Sequence, residues 1–212
     1  MIKSYFFIGS CCLLIGNEVL AQEKPISYEF QTGFTLSTTK DKLNLSKWGV
    51  GMYSKGLIDF RITPNFSIAT GLGYRYEQFD SKYGTTINTN EGYVFYESGV
   101  GNMQRHWLDV PILFKGHFKL NSDNKLEVFS GPNLSIFTGG KIKDLKTGEI
   151  YKIKPDKFSD RIDYGLSMGV GYIIKERWSM NVNYNIGLRK ELPVNELSST
   201  TRSLSLGAGY RF

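Results

Sequence analysis

Residues 203–212 read S-L-S-L-G-A-G-Y-R-F. Leu204, Leu206, Ala208, Tyr210 and Phe212 fall on one face of an extended chain, and Ser203, Ser205, Gly207, Gly209 and Arg211 on the other, because successive strand side chains point to opposite faces. One face is apolar, the other small and polar. A strand of this kind, ending on an aromatic, predicts the closing strand of a membrane β-barrel, with its apolar face toward lipid and its polar face toward an enclosed lumen.

The same alternation recurs upstream. Trp178, Met180, Val182, Tyr184, Ile186 and Leu188 oppose Ser179, Asn181, Asn183, Asn185, Gly187 and Arg189; before them Ile162, Tyr164, Leu166, Met168, Val170 and Tyr172 oppose Asp163, Gly165, Ser167, Gly169 and Gly171. A strand over Leu126–Phe137 sets Leu126, Val128, Leu134 and Ile136 against Glu127, Gly131, Asn133 and Ser135, and one from Arg105 to about Phe118 sets Leu108, Val110, Ile112 and Phe114 against Asp109, Lys115 and His117. Three earlier strands carry Tyr28, Phe30, Phe34 and Leu36, then Val50, Met52, Ile58 and Phe60, then Phe66, Ile68, Leu72, Tyr74 and Tyr76. The count is eight strands of bilayer-spanning length.

Between them, Thr63-Pro64-Asn65, Leu120 to Lys125 and Lys175-Glu176-Arg177 read as short turns. Thr38 to Lys47, Phe79 to Gln104, Gly139 to Arg161 and Lys190 to Arg202 read as longer loops without periodicity. Short and long connections alternate, as in barrels with clipped periplasmic turns and extended outer loops. The expected fold is an all-β, eight-stranded, antiparallel up-and-down transmembrane β-barrel.

The start of the chain agrees with export. Lys3, an apolar run from Tyr5 to Ile15 and Val19-Leu20-Ala21 before Gln22 read as a secretory signal peptide over 1–21, cleaved after Ala21, with the barrel domain over 22–212. Ile8-Gly9-Ser10-Cys11 resembles a lipobox but leaves too little chain before it for a basic and an apolar region. Cys11 and Cys12 both leave with the leader, so the exported chain carries neither a disulfide framework nor a thiol metal site. The formal net charge of +6 points to an anionic partner. Export makes that partner lipopolysaccharide phosphate or a cell-envelope protein rather than nucleic acid. No apolar run after Ala21 reaches the length of a membrane-crossing helix, a test that a barrel survives.

Leu108-Asp109-Val110-Pro111-Ile112-Leu113-Phe114-Lys115 resembles the L-x-x-P-L-L-x-K strand, and Phe129-Ser130-Gly131-Pro132 the following G-P strand, of the PorT-like outer-membrane barrels of Bacteroidota. Gly169-Val170-Gly171-Tyr172, Tyr184-Asn185-Ile186-Gly187-Leu188 and Gly209-Tyr210-Arg211-Phe212 are similar to that family's last three strands. The resemblance covers residues 22–212 and implies an outer-membrane barrel without an assigned activity. The namesake's link to protein secretion is not carried over on these residues. Pro111 and Pro132 are expected at bulges or strand ends, since a proline removes a ladder hydrogen bond.

The faces assigned to the lumen collect Glu29, Lys55, Asp59, Arg75, Glu77, Arg105, Asp109, Lys115, Glu127, Asp163, Arg189 and Arg211, six basic and six acidic. An eight-stranded barrel is filled by side chains or holds one small ligand, and charges desolvated there must pair. The set reads as a salt-bridged plug rather than an ion path. A surface-binding set is Lys141, Lys143, Lys146, Lys152, Lys154 and Lys157, which with Arg161 outnumber Asp144, Glu149, Asp156 and Asp160; Tyr93, Phe95 and Tyr96 add aromatic contacts nearby.

A catalytic site would need a nucleophile, a base and an orienting partner. His106 near the outer rim, oriented by Asp109 or Glu97, is the candidate for an outer-membrane hydrolase; His117 falls on the opposite face. No H-E-x-x-H, paired histidines or carboxylate set with metal-ligand spacing occurs, and the G-x-G pairs lie within strands, so no cofactor is expected. The reading is a non-catalytic barrel with a structural or surface-interaction role. Its rival is a soluble lipocalin-like barrel enclosing an apolar ligand, which requires the large aromatics inside.

Overall fold

The computed structural model describes residues 25–40, 46–89, 92–153, 155, 157–189 and 200–212, with the backbone alone at 40, 83–89 and 92–98. The leader assigned to 1–21 and Lys154 lie outside the described residues.

Among the described residues nine strands form in chain order: β1 (Ile26–Lys40), β2 (Gly49–Thr63), β3 (Phe66–Thr89), β4 (Gly92–Lys119), β5 (Asn124–Asp144), β6 (Ile150–Ile153), β7 (Ile162–Ile174), β8 (Trp178–Gly187) and β9 (Thr200–Arg211). Each of β1 to β5, then β7, β8 and β9, pairs antiparallel with the next, and β9 returns to β1 from Glu29↔Arg211 to Lys40↔Thr200. The ring has eight strands and no free edge. β6 stands outside it, paired only with β5. No described helix is long and apolar enough to cross a membrane; the strands do the crossing.

The side chains face as the alternation requires. Leu206 is 61% exposed, whereas Arg75 is 7% and Asp163 8%. Phe34, Met52, Leu72, Phe114, Tyr164, Met168 and Leu204 join Leu206 on the outer wall. A soluble lipocalin-like barrel would reverse this arrangement, so that rival is set aside.

Both long central loops need correction. Phe79 to Gln104 continues β3 and β4 as a hairpin with only residues 90 and 91 between the strands, and Gly139 to Arg161 contains the end of β5, β6 and a 3-10 turn at Phe158–Arg161. The described inward positions of the β3–β4 extension hold Ser81 and Arg105 beside Phe79, so the backbone pairs without an apolar alternation to announce it.

The prolines are corrected too. Pairing runs from Thr70↔Ile112 to Gly73↔Asp109 on one side of β4 and from Pro111↔Asn133 to Phe114↔Ser130 on the other, with register unchanged across each gap. Pro111 and Pro132 therefore sit inside continuous strands. The ladder is interrupted there instead of bulged, and the Thr70 hydroxyl donates to the Pro111 carbonyl at 2.8 Å. A true bulge lies higher, where Trp107 pairs Phe137 but His106 pairs Gly139, leaving Thr138 unpaired.

Candidate functional site

The lumen is filled in three tiers. Nearest the short turns and the strand termini, Lys115 Nζ lies 3.1 Å from Asp59 and Glu127 and 3.4 Å from Glu29. Arg211 Nη2 reaches Glu127 at 2.5 Å and Glu29 at 3.2 Å. Glu29 also accepts from Ser179 at 2.5 Å and Gln31 at 2.7 Å. His117 joins this set, with Nδ1 at 3.4 Å from Glu127 and Nε2 at 2.8 Å from Ser67. The ligand atoms of Asp59, His117 and Glu127 lie within 4.8 Å of one another, the spacing of a metal site. The Lys115 ammonium already supplies positive charge to both carboxylates, so the residues present fit an ion-paired plug better than a cation site.

Beside and above this tier Leu57, Ala69, Leu113 and Phe129, from the adjacent strands β2 to β5, form an apolar belt along one side of the lumen. The Phe129 ring needs the space that Gly169 leaves: a Cβ there would fall 2.5 Å from the ring. The third tier is charged again. Arg75 binds Asp109 through Nε at 2.9 Å and also pairs with Glu77. Arg105 lies 3.1 Å from Glu77, which also accepts from the Trp107 indole at 3.0 Å. Arg105 sits over Phe79 and Trp107 at 4.7 and 5.4 Å, so aromatic faces share the work of holding the cations.

Between belt and upper tier lies a small polar cavity lined in part by Lys55, Asp109, Asn133, Asn183 and Ser205. Among the described residues Lys55 forms no ion pair; its Nζ lies 5.6 Å from the Tyr53 ring centroid, and Tyr53 itself spans the lumen to Asn181 at 2.8 Å. Asp163 is held by the Thr201 hydroxyl at 2.9 Å. Arg189 is not in the lumen network. It follows the end of β8 and grips the rim, pairing with Asp160 at 3.1 Å and donating to the Ser159 carbonyl.

His106 and Asp109 do not meet. Asp109 points inward to Arg75, while the His106 Nδ1 stands 2.6 Å from the Tyr74 hydroxyl on the outer wall, stacked between Tyr74 and Tyr76. The Glu97 side chain lies outside the described residues. This trio, on the adjacent strands β3 and β4, is an aromatic girdle segment at the upper edge of the apolar wall, with His106 stacked on Tyr74 and tilted against Tyr76, as rings sit at membrane interfaces.

The model of the outer membrane protein beta-barrel domain matches residues 20–192 of the chain. The chain belongs to that family. It is an outer-membrane barrel, and its paired, closed strands are the means by which this family's backbone polar groups are satisfied in lipid. Among solved structures the barrel is similar to Ail, the attachment invasion locus protein of Yersinia pestis, at 13% identity over 88% of this chain and 98% of that one, TM-score 0.39. It is similar also to Neisserial surface protein A at 16% identity, 87% and 95% coverage and TM-score 0.47, and to the outer-membrane enzyme PagL at 11% identity, 84% and 97% coverage and TM-score 0.39. No curated protein sequence matches it.

On this barrel Lys141, Lys143, Lys146, Lys152 and Lys157 are all exposed on the side away from the short turns. Sequence reasoning missed the apolar belt and the inward aromatics Phe79, Trp107 and Phe137. The signal was present in Trp107 to Phe114, where apolar residues occupy both faces of one strand.

Proposed function

We propose that this protein is a PorT-like outer-membrane barrel, exported by a leader cleaved after Ala21, with a sealed lumen and a non-catalytic role as a surface-interaction scaffold. The observation that carries the reading is the filling of the ring: two ion-paired networks, with an apolar belt on the β2 to β5 wall between them, occupy the lumen with buried side chains. Salt bridges alone do not make the plug. Leu57, Leu113 and Phe129 add apolar bulk that narrows the space left for a hydrated ion in a barrel of this size. The outer sheet formed by the ends of β3, β4 and β5 together with β6 is then the working surface. The test is conductance in planar bilayers. The wild-type protein gives no channel steps, and the Leu113→Ala/Phe129→Ala variant gives small ones; wild-type steps would overturn the sealed reading.

A further inference from the structure

The Thr138 bulge changes which residues face outward. Below it the even-numbered residues of β5, such as Leu134 and Ile136, form the lipid wall. Above it Gly140 pairs inward-facing Arg105 and Asp144 is buried, so Lys141 and Lys143 turn outward. One inserted residue flips the parity of every residue after it.

The rows of the outer sheet place these lysines by height. Tyr76 and His106 pair in the girdle row. The next outward row is Gln78, Gln104, Lys141 and Lys152, and the one above it Asp80, Asn102, Lys143 and Ile150. Lys141 and Lys152 are directly opposed, with Lys143 two residues along. Like charges directly opposite destabilise a ladder, and among the described residues none of the three forms an ion pair. Among the described residues the acid in these rows is Asp80, which accepts from Asn102 at 2.9 Å, and Glu149 falls on the opposite face of the β6 segment with Tyr151. Three ammonium groups without an ion pair among the described residues thus stand just above the aromatic girdle on the outward face, with the apolar wall of Leu108, Leu134 and Ile136 directly beneath them. An outer-leaflet lipid presents the complementary arrangement, phosphate above acyl chain.

We propose that Lys141, Lys143 and Lys152 form a binding patch for the phosphates of lipid A in the surrounding outer leaflet. The inference rests on the surface-interaction reading and names its partner. The row position, outward aim and acyl wall favour a lipid over a free anion, and the charge cluster favours phosphate over a neutral headgroup.

The test titrates fluorescent diphosphoryl lipid A into the refolded protein in phosphocholine-detergent micelles. Lys141→Gln/Lys143→Gln/Lys152→Gln weakens binding on the order of a hundredfold, and the corresponding triple arginine variant restores it. Lipid A stripped of both phosphates binds the wild type as weakly as diphosphoryl lipid A binds the glutamine variant; this arm needs no variant and decides the matter should the triple substitution fail to fold. Equal binding of the phosphate-free lipid, unchanged affinity of the folded glutamine variant, or displacement by millimolar inorganic phosphate would each overturn the proposal. Conductance of the same preparations reports the sealed lumen independently, so failure of one reading is distinguishable from failure of the other.

Discussion

Arg211 on β9 and Glu127 on β5 meet across the lumen at 2.5 Å, with β7 and β8 between their strands in the ring. The contact ties the closing strand to the far wall, and Arg211 holds Glu29 on β1 as well. Replacing it leaves buried carboxylates with one cation, Lys115, among three. Arg211→Met should cost about 3–5 kcal/mol, measured by urea unfolding from micelles. Arg211→Met/Glu127→Gln should recover much of that loss, because the second change removes the orphaned charge. A single variant as stable as the wild type would show that the tier contributes nothing to closure.

Leu206 lies toward the middle of the outward band on β9, paired with Phe34 and Val182. Leu206→Arg should destabilise the barrel by about 2–4 kcal/mol in a bilayer. Its neighbour Ser205 faces the lumen and donates to the Thr35 hydroxyl at 3.1 Å, so Ser205→Ala should cost about 0.5–1.5 kcal/mol, the worth of that hydrogen bond. The comparison is made by equilibrium folding into lipid vesicles; equal effects at the two positions would refute the assigned faces.

Where Pro111 interrupts the β3–β4 ladder, the Thr70 hydroxyl supplies a donor to the Pro111 carbonyl. Thr70→Val keeps the shape and removes the donor. The expected cost is about 1–3 kcal/mol, the penalty for an unsatisfied polar group away from water. Hydrogen exchange across β3 and β4 checks the location, with protection falling first around Gly71, Leu72 and Val110.

The turn from Ile174 to Arg177 is closed by Arg177 N–H donating to the Ile174 carbonyl at 3.1 Å, with φ of 49° at Lys175 and 59° at Glu176. Two successive left-handed residues make a type I′ turn, which favours Asn-Gly. Lys175→Asn should raise stability by about 0.5–1 kcal/mol, read from the same urea transition. Glu176 is left in place because it pairs with Lys125 at 3.0 Å.

The ring was legible wherever lipid met one face and the lumen the other. In β7, β8 and β9 that contrast forces strict alternation, and residues such as Tyr164, Val182 and Leu206 announced their side. The hairpin of β3 and β4 was not legible, since its described inward positions mix Phe79 with Ser81 and Arg105, so hydropathy shows no period there. Nor was the belt: Leu57, Leu113 and Phe129 are apolar residues on the face expected to be polar. A narrow lumen can be filled by hydrocarbon as readily as by ion pairs, and periodicity cannot say which. The charged tiers were readable as a set, but not their division into two networks, nor the departure of Arg189 to the rim, because partner choice depends on register across strands distant in the chain. The lysine patch was visible only as composition; its aim depends on one unpaired residue, Thr138.

The pairing of β1 with β9 carries a consequence for assembly. Until the final strand arrives, β1 and β8 each present a raw row of backbone donors and acceptors that neither bilayer nor neighbour can satisfy. Insertion and closure are thus coupled to delivery of the C-terminal segment. Half-built intermediates would need shielding by other machinery on their way to the membrane, however stable the finished cylinder is.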